Sequence, residues 1–155
     1  MKHLLMSLSH KNNLIFIPNN VPSLKNSKIK TSRGIFSSKT VKKYLSKLGI
    51  QSYSVSKKTV LGFVRRPNEF ELLKPEFKTC LEGKLPPFEV GLHFVRDSKR
   101  AFDFNNASQI IADLMVAHGI IEDDNMNYFL PYPLKINNNA YTIDKENPGV
   151  YVSIN

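Results

Sequence analysis

Oxygen-bearing side chains that suit a divalent cation occur in two short segments, at residues 102–106 and 122–124. Carboxylate and amide oxygens are the ligands that a hard cation such as Mg²⁺ takes. The chemistry expected of such a site is hydrolysis of a phosphodiester, since a bound metal polarises the phosphate and lowers the pKa of water. The predicted catalytic set is Asp103, Asp124, Asn105 and Asp123, of which Asp103, Asp124 and Asn105 are the metal ligands.

A strand and a helix must position these side chains. The apolar run at 88–95 predicts a strand, and apolar residues at a period near 3.6 then predict a helix over 106–118. Asn105 or Asn106 occupies the expected N-cap position, and Gly119 the position just after the helix. A plainer alternative is that Asp103 and Asn105 only cap the helix and that residues 122–124 form an exposed turn.

The two segments can meet in only a few ways. A helix over 106–118 is about 20 Å long at ~1.5 Å per residue, whereas the five residues after Gly119 span at most about 17 Å. The acidic pair therefore approaches Asp103 only if the chain runs straight back along the helix, or if a second subunit supplies it.

These segments resemble the RusA family of Holliday-junction resolvases, in which an Asp-x-Asp-Asn turn opens a helix and an Asp-Asp pair follows it. The residues Pro22-Ser23-Leu24-Lys25-Asn26 also resemble the Pro-Ser-x-Asn segment of that family, with one residue more. The resemblance implies a homodimeric endonuclease that uses Mg²⁺, with Mn²⁺ as a substitute, to cut Holliday junctions or other branched DNA.

Two positions depart from that family. The second Asp of its turn is Asn105 here, and the lysine expected one helical turn later is Gln109. Gln109 can hydrogen-bond a phosphate but lacks the positive charge of that lysine. Lys99 or Arg100, in the turn before the helix, would compensate for the missing charge. The alternative function is therefore a catalytically weak or inactive branched-DNA-binding protein of the same fold.

Charge is distributed very unevenly along the chain. Residues 1–68 contain fourteen Lys or Arg and no Asp or Glu, whereas residues 69–155 contain eight basic and thirteen acidic residues. So dense a positive charge favours a polyanionic partner, and nucleic acid is the obvious one. A more remote alternative is an RNA-binding or virion-associated protein that uses its basic half alone. The predicted DNA contacts are Lys25, Asn26, Lys28, Lys30, Arg33, Lys42, Lys43, Arg65, Arg66, Lys99, Arg100 and Gln109.

The chain of 155 residues fits a single RusA-like domain, 1–155. Its pattern predicts an α+β fold, a small mixed β-sheet with helices packed on it, in the order β-α-(α)-β-α-β-β. The first half of the chain is predicted to hold a strand at 13–17, a loop at 19–37, a helix at 39–48 capped by Ser38 and ended by Gly49, and a hairpin or an irregular excursion at 50–67. The second half is predicted to hold a helix at 69–83 broken by Pro75, the strand and helix described above, an edge strand at 127–134 and a last strand at 150–154.

Other features bear on the surroundings of the protein. No apolar run approaches the roughly 20 residues of a membrane span, and the single cysteine, Cys80, is compatible with a reducing compartment. We therefore expect no membrane partner and a location in the cytoplasm. Frequent Asn, Lys and Ile indicate an AT-rich genome such as that of a phage. A protein encoded by a phage would be located in the cytoplasm of the host cell. His93 is expected to be partly buried with a backbone partner.

Overall fold

The computed structural model describes residues 14–23, 28–31, 34–37, 39–47 and 70–155. It has the predicted α+β fold. The described strands are β1 (Ile15–Pro18), β2 (Lys28–Thr31), β3 (Gly34–Ser37), β4 (Phe88–Arg96), β5 (Phe129–Pro133), β6 (Thr142–Ile143) and β7 (Gly149–Ile154). The described helices are α1 (Lys39–Lys47), α2 (Lys74–Leu81), which follows a 3₁₀ turn at Glu71–Leu73, and α3 (Phe104–Ala117).

The largest sheet of the described residues is mixed and has five strands. Its order is β1-β7-β4-β5, and β6 also pairs with β4. The pairs β1–β7 and β7–β4 are antiparallel, whereas β5 and β6 both run parallel to β4. The predicted edge strand at 127–134 is confirmed as β5, where Pro131 and Pro133 are tolerated because an edge needs fewer ladder donors.

The core lies between one face of this sheet and helix α3. Alternate residues of β4, Val90, Leu92 and Phe94, are buried on that face. The buried side of α3 has the helical period predicted from the sequence, because its apolar residues recur every three or four positions. The other members of the same cluster include Ile15, Ile17, Ile110, Ile111, Leu114, Met115, Val150, Val152 and Ile154.

His93 lies on the opposite face of β4, as expected from its apolar neighbours. Its Nδ1 is 2.8 Å from the carbonyl oxygen of Leu134, and its Nε2 is 3.2 Å from Oγ1 of Thr142. The backbone partner is confirmed, but the residue is fully buried rather than partly buried. Leu134 directly follows β5 and Thr142 is the first residue of β6. Burial lowers the pKa of His93 despite the opposing bond to Leu134.

Two predicted elements were wrong in part. The loop predicted at 19–37 contains the antiparallel hairpin β2–β3; its β-branched residues favour strands, although the composition around them is polar. Pro75 does not break a helix at 69–83, because it lies in the first turn of α2. There its missing N–H removes no helical hydrogen bond.

Helix α1 is confirmed over 39–47, with Val41 and Tyr44 in the core and Leu45 packed against it. Cys80 is half-buried at the edge of the core, as expected. The predicted caps Ser38 and Gly49 lie outside the described residues, as does the hairpin or irregular excursion predicted at 50–67. Among the helices that the structure describes, none has the length and apolar character needed to cross a membrane.

Candidate functional site

Asp103 is the N-cap of α3. Its backbone is extended (φ −99°, ψ 116°), and its Oδ1 accepts a hydrogen bond from the backbone N–H of Asn106 at 3.2 Å. The prediction that Asn105 or Asn106 caps the helix was wrong, because the Asp103 carboxylate already satisfies an amide of the first turn. The simpler interpretation of Asp103 as a cap is therefore confirmed. It does not exclude a second role, since the cap engages only one carboxylate oxygen.

Two aromatic side chains hold the backbone on either side of Asp103. Phe102 and Phe104 both pack edge-on against Phe94 in β4, with ring centroids 5.7 and 5.8 Å away. Both rings are half-buried, whereas Asp103 and Asn105 are exposed. Strand β4 therefore anchors the turn through its apolar residues while the oxygen-bearing side chains reach solvent.

The chain reverses direction after α3. Gly119 has the positive φ of 71° expected of the residue that follows a helix, and the N–H of Ile120 donates to the carbonyl of Met115 at 2.8 Å. Ile121 then enters the core. The predicted helix stop is confirmed, and residues 122–124 consequently lie beside α3.

Asp124 lies against the second turn of α3. The Nε2 of Gln109 donates one hydrogen bond to Oδ2 of Asp124 and another, of 3.1 Å, to Oδ1 of Asp113. Gln109 follows Asp103 by six residues, which is about 9 Å of helix at ~1.5 Å per residue. The acidic segment therefore runs back along the helix, as the predicted geometry required, as far as the level of Gln109.

The other two acids of this segment have local partners. Oδ1 of Asp123 accepts the backbone N–H of Asp124 at 2.8 Å, and its Oδ2 accepts Nδ2 of Asn125 at 2.7 Å. The bond from the Asp124 amide is the main cause that lowers the pKa of Asp123. Glu122 accepts a hydrogen bond of 2.7 Å from the hydroxyl of Tyr128. These bonds define the shape of residues 122–124, called the acidic turn below.

The donor chemistry of Asp103, Asn105 and Asp124 suits Mg²⁺, which commonly takes one or two carboxylates together with waters and substrate phosphate. Within the described ranges, no three His, Cys, Asp or Glu side chains are close enough to share a metal ion. Asp124 also shares its carboxylate with Gln109. The metal ligand set thus stays a prediction, one in which the phosphate of the substrate would complete the coordination.

The segment Val21-Pro22-Ser23 lies at the same end of β4 as the Asp103 turn. The Nη1 of Arg96, the last residue of β4, donates to the carbonyl of Val21. The N–H of Asp97 donates to Oδ1 of Asn20 at 3.1 Å. The first two residues of the Pro-Ser-x-Asn-like segment thereby lie at the end of β4 that leads to the Asp103 turn, whereas Leu24, Lys25 and Asn26 lie outside the described residues.

Arg96 is the residue of this region that sequence reasoning missed. It is the last residue of β4 and precedes the basic residues Lys99 and Arg100, yet it is only 7% exposed and its guanidinium lies 4.7 Å from the centroid of the Phe102 ring. Burial lowers the pKa of Arg96, and the negative charge of Asp97 opposes that effect. The signal available in the sequence was a charged residue directly after the apolar pair Phe94-Val95.

The predicted DNA contacts are only partly described. Lys99 and Arg100 are exposed in the turn that leads to Asp103, and Gln109 is exposed on α3. On α1, Lys43 is exposed and Lys42 is half-buried. Lys28 and Lys30 lie on β2, whose side chains are not described, and Asn26, Lys25, Arg33, Arg65 and Arg66 lie outside the described residues.

A cavity of about 730 Å³ lies at the other end of α3. It is bounded by one side of α2 and by the residues that end α3, and its lining includes Lys74, Lys78, Glu82, His118 and Ile120. None of the predicted metal ligands lines it. Its size alone therefore does not make it the reactive site.

Comparison with known proteins finds no matching family model, no matching curated protein and no matching solved structure.

Proposed function

We propose that the protein is a RusA-like, Mg²⁺-dependent endonuclease that hydrolyses phosphodiesters in Holliday junctions or other branched DNA. The observation that carries this proposal is the contact of Asp124 with Gln109 on the helix that Asp103 caps. Fourteen residues of helix and a reversal of the chain separate the two acids in sequence, yet the acidic turn lies along the helix that leads from Asp103.

The positive residues around the Asp103 turn also support the proposed nuclease function. Lys99 and Arg100 are exposed next to Asp103, and the Val21–Ser23 segment, which leads into the lysine-rich part of the chain, is bonded to the same end of β4. Positive groups flanking carboxylates are what a phosphodiester substrate requires, because they attract the DNA that the carboxylates alone would repel.

The residues then have separate tasks. Asp103 offers the carboxylate oxygen that the cap leaves available, and Asn105 adds a neutral amide oxygen from the first turn of α3. Asp124 offers a second carboxylate, and Lys99 and Arg100 bind the phosphate backbone. A divalent cation bound there would polarise the scissile phosphate and lower the pKa of water.

A second candidate is a branched-DNA-binding protein that makes no incision. It is favoured by the hydrogen bonds that Gln109 donates to Asp113 and Asp124, because a ligand that is already engaged binds a metal less readily. The presence of Asn105, where the RusA-like pattern has an Asp, favours it as well.

Cleavage of a labelled four-way junction distinguishes the two candidates. The endonuclease should cut in Mg²⁺, and Asp103→Asn should abolish cutting while it retains binding, because Asn also caps a helix well. Glu146→Gln is the matched control: it removes one exposed acid from the β6–β7 turn and should leave cutting unchanged. Binding without incision by the unaltered protein would establish the second candidate, and tighter binding to RNA would disfavour both.

The proposed biological setting follows from this activity. Branched DNA arises where DNA is recombined or replicated, so we place the protein in the cytoplasm, that of the host if a phage encodes it. Resolution of a four-way junction needs paired incisions, for which a homodimer is the economical arrangement.

A further inference from the structure

Arg96 carries a buried charge. The residue is 7% exposed at the C-terminal end of β4. Its Nη1 donates to the carbonyl of Val21, but its buried Nε has no hydrogen-bond partner among the residues that the structure describes. Burial of a charged group that is only partly hydrogen-bonded destabilises a fold, and violations of this kind concentrate where a fold serves a function.

One side of the Arg96 guanidinium faces the Asp103 turn. It lies 4.7 Å from the centroid of Phe102, a distance at which a cation and an aromatic face attract each other. Phe102 in turn packs edge-on against Phe94 and Tyr141, with centroids 5.7 and 5.2 Å away. The ring is therefore fixed from three directions, and the next residue in the chain is Asp103.

The other side of Arg96 faces the N-terminal segment. Val21 is fully buried, and its carbonyl is the acceptor of the Arg96 hydrogen bond. A second hydrogen bond joins the residues next to Arg96 and Val21, because the N–H of Asp97 donates to Oδ1 of Asn20. The Arg96 side chain thus contacts a segment that lies 75 positions earlier in the sequence.

We infer that Arg96 is a positioning residue that fixes the Val21–Ser23 segment against the Phe102–Asp103 turn, so that DNA held by the N-terminal basic residues is presented to Asp103. The inference rests on the proposed function for its consequence in catalysis. It adds to that function a specific coupling, between the segment that leads to the lysines and the turn that holds the first carboxylate.

Kinetics of the variant Arg96→Met test the coupling. Met is flexible and apolar, so it fills the space of the side chain but offers neither the bond to Val21 nor the cation over Phe102. The cleavage rate at saturating junction should fall about tenfold, because small misplacement of reacting groups is costly, while the Kd for the junction should change less than about twofold. Arg96→Lys keeps a cation and a donor and should recover most of the rate.

Lys135→Met is the matched control. It removes an exposed positive charge from the segment after β5, so it should leave both the Kd for the junction and the cleavage rate at saturation unchanged. An Arg96→Met variant with weakened binding and a normal rate at saturation would overturn the inference, as would Arg96→Lys behaving no better than Arg96→Met.

Hydrogen exchange tests the same coupling without any activity. The amide of Asp97 is bonded to Asn20, and the amide of Asn106 is bonded to Asp103. Arg96→Met should accelerate exchange of both amides together by about tenfold or more, with no change at the centre of β7. Phe102→Leu removes the other half of the contact and should produce the same pattern, which covers the case in which Arg96→Met does not fold.

The two proposals fail separately. If the unaltered protein binds junctions without cutting them, the endonuclease is excluded, and the exchange experiment still decides the role of Arg96. Unchanged exchange at Asp97 and Asn106, or equal acceleration throughout the sheet, would show that Arg96 contributes only general stability.

Discussion

The side-chain amide of Gln109 donates hydrogen bonds to both Asp113 and Asp124. Asp113 lies one turn further along α3, whereas Asp124 belongs to the acidic turn that follows the helix. A neutral amide thus connects two exposed or half-exposed carboxylates where the RusA-like pattern has a lysine. This contact links the helix to the acidic turn and engages one oxygen of each carboxylate.

Gln109→Lys should raise the cleavage rate of a four-way junction by about tenfold, since preorganised positive charge stabilises the charge that develops on a phosphate. The free energy of unfolding should rise by only about 0.2–1 kcal/mol, because exposed ion pairs contribute little. Cleavage assays and urea denaturation measure the two effects. Gln109→Met, which removes both hydrogen bonds without adding charge, is the control; an equal gain in that variant would show that charge is not the cause.

Asp103→Ala should lower the free energy of unfolding by about 1 kcal/mol, whereas Asp103→Asn should change it little, because Asn replaces the N-cap hydrogen bond and Ala does not. Urea denaturation of both variants measures the difference. Equal destabilisation by the two substitutions would mean that the charge of Asp103, rather than its capping bond, stabilises α3.

Asn105→Asp should tighten binding of Mn²⁺ by about tenfold, because a charged ligand replaces a neutral one. Calorimetric titration of the metal measures this. Asn106→Asp is the matched control, since it adds the same charge to the first turn of α3 and benefits equally from the helix dipole. If both variants gain equally, the effect is general electrostatics and Asn105 is not a ligand position.

The pH dependence of stability should report the buried His93. Burial lowers its pKa from 6.5, so the unfolded chain binds the proton more readily than the folded protein. Stability is then present in full above pH 6.5 and falls as the pH drops towards the lowered pKa. His93→Gln should flatten the change in urea midpoint between pH 7.5 and 5.5, whereas loss of that change in His118→Gln instead would refute the assignment.

Gly91 provides room for an aromatic ring on the outer face of the sheet. A Cβ at this position would lie 2.8 Å from Cζ of Tyr132, so Gly91→Ala should destabilise the protein by about 1–3 kcal/mol through overpacking. In a Tyr132→Ala background the cost should largely disappear, and a double-mutant cycle measures the coupling. Additive effects of the two substitutions would show that Ala fits beside the ring.

Local pattern was sufficient for much of the fold. Helix α3, its stop at Gly119 and strand β4 follow from periodicity and from residues with strong backbone preferences, which act over a few positions. The failures have local causes as well: the helix cap lies two or three residues earlier than predicted, at Asp103, because the carboxylate of Asp103 reaches the amide of Asn106. The hairpin β2–β3 was missed because polar composition outweighed its β-branched residues.

By itself the sequence determined the α+β class, the basic and acidic halves and the two segments of oxygen-bearing side chains, because composition and period are properties of neighbouring residues. Only the tertiary structure decided that Gln109 holds Asp124 and that Arg96 joins Val21 to Phe102. Such contacts depend on the angle at which the chain leaves a helix or strand. A small change in the angle of one turn displaces all of the chain that follows it. The spacing of residues in the sequence therefore does not specify such contacts.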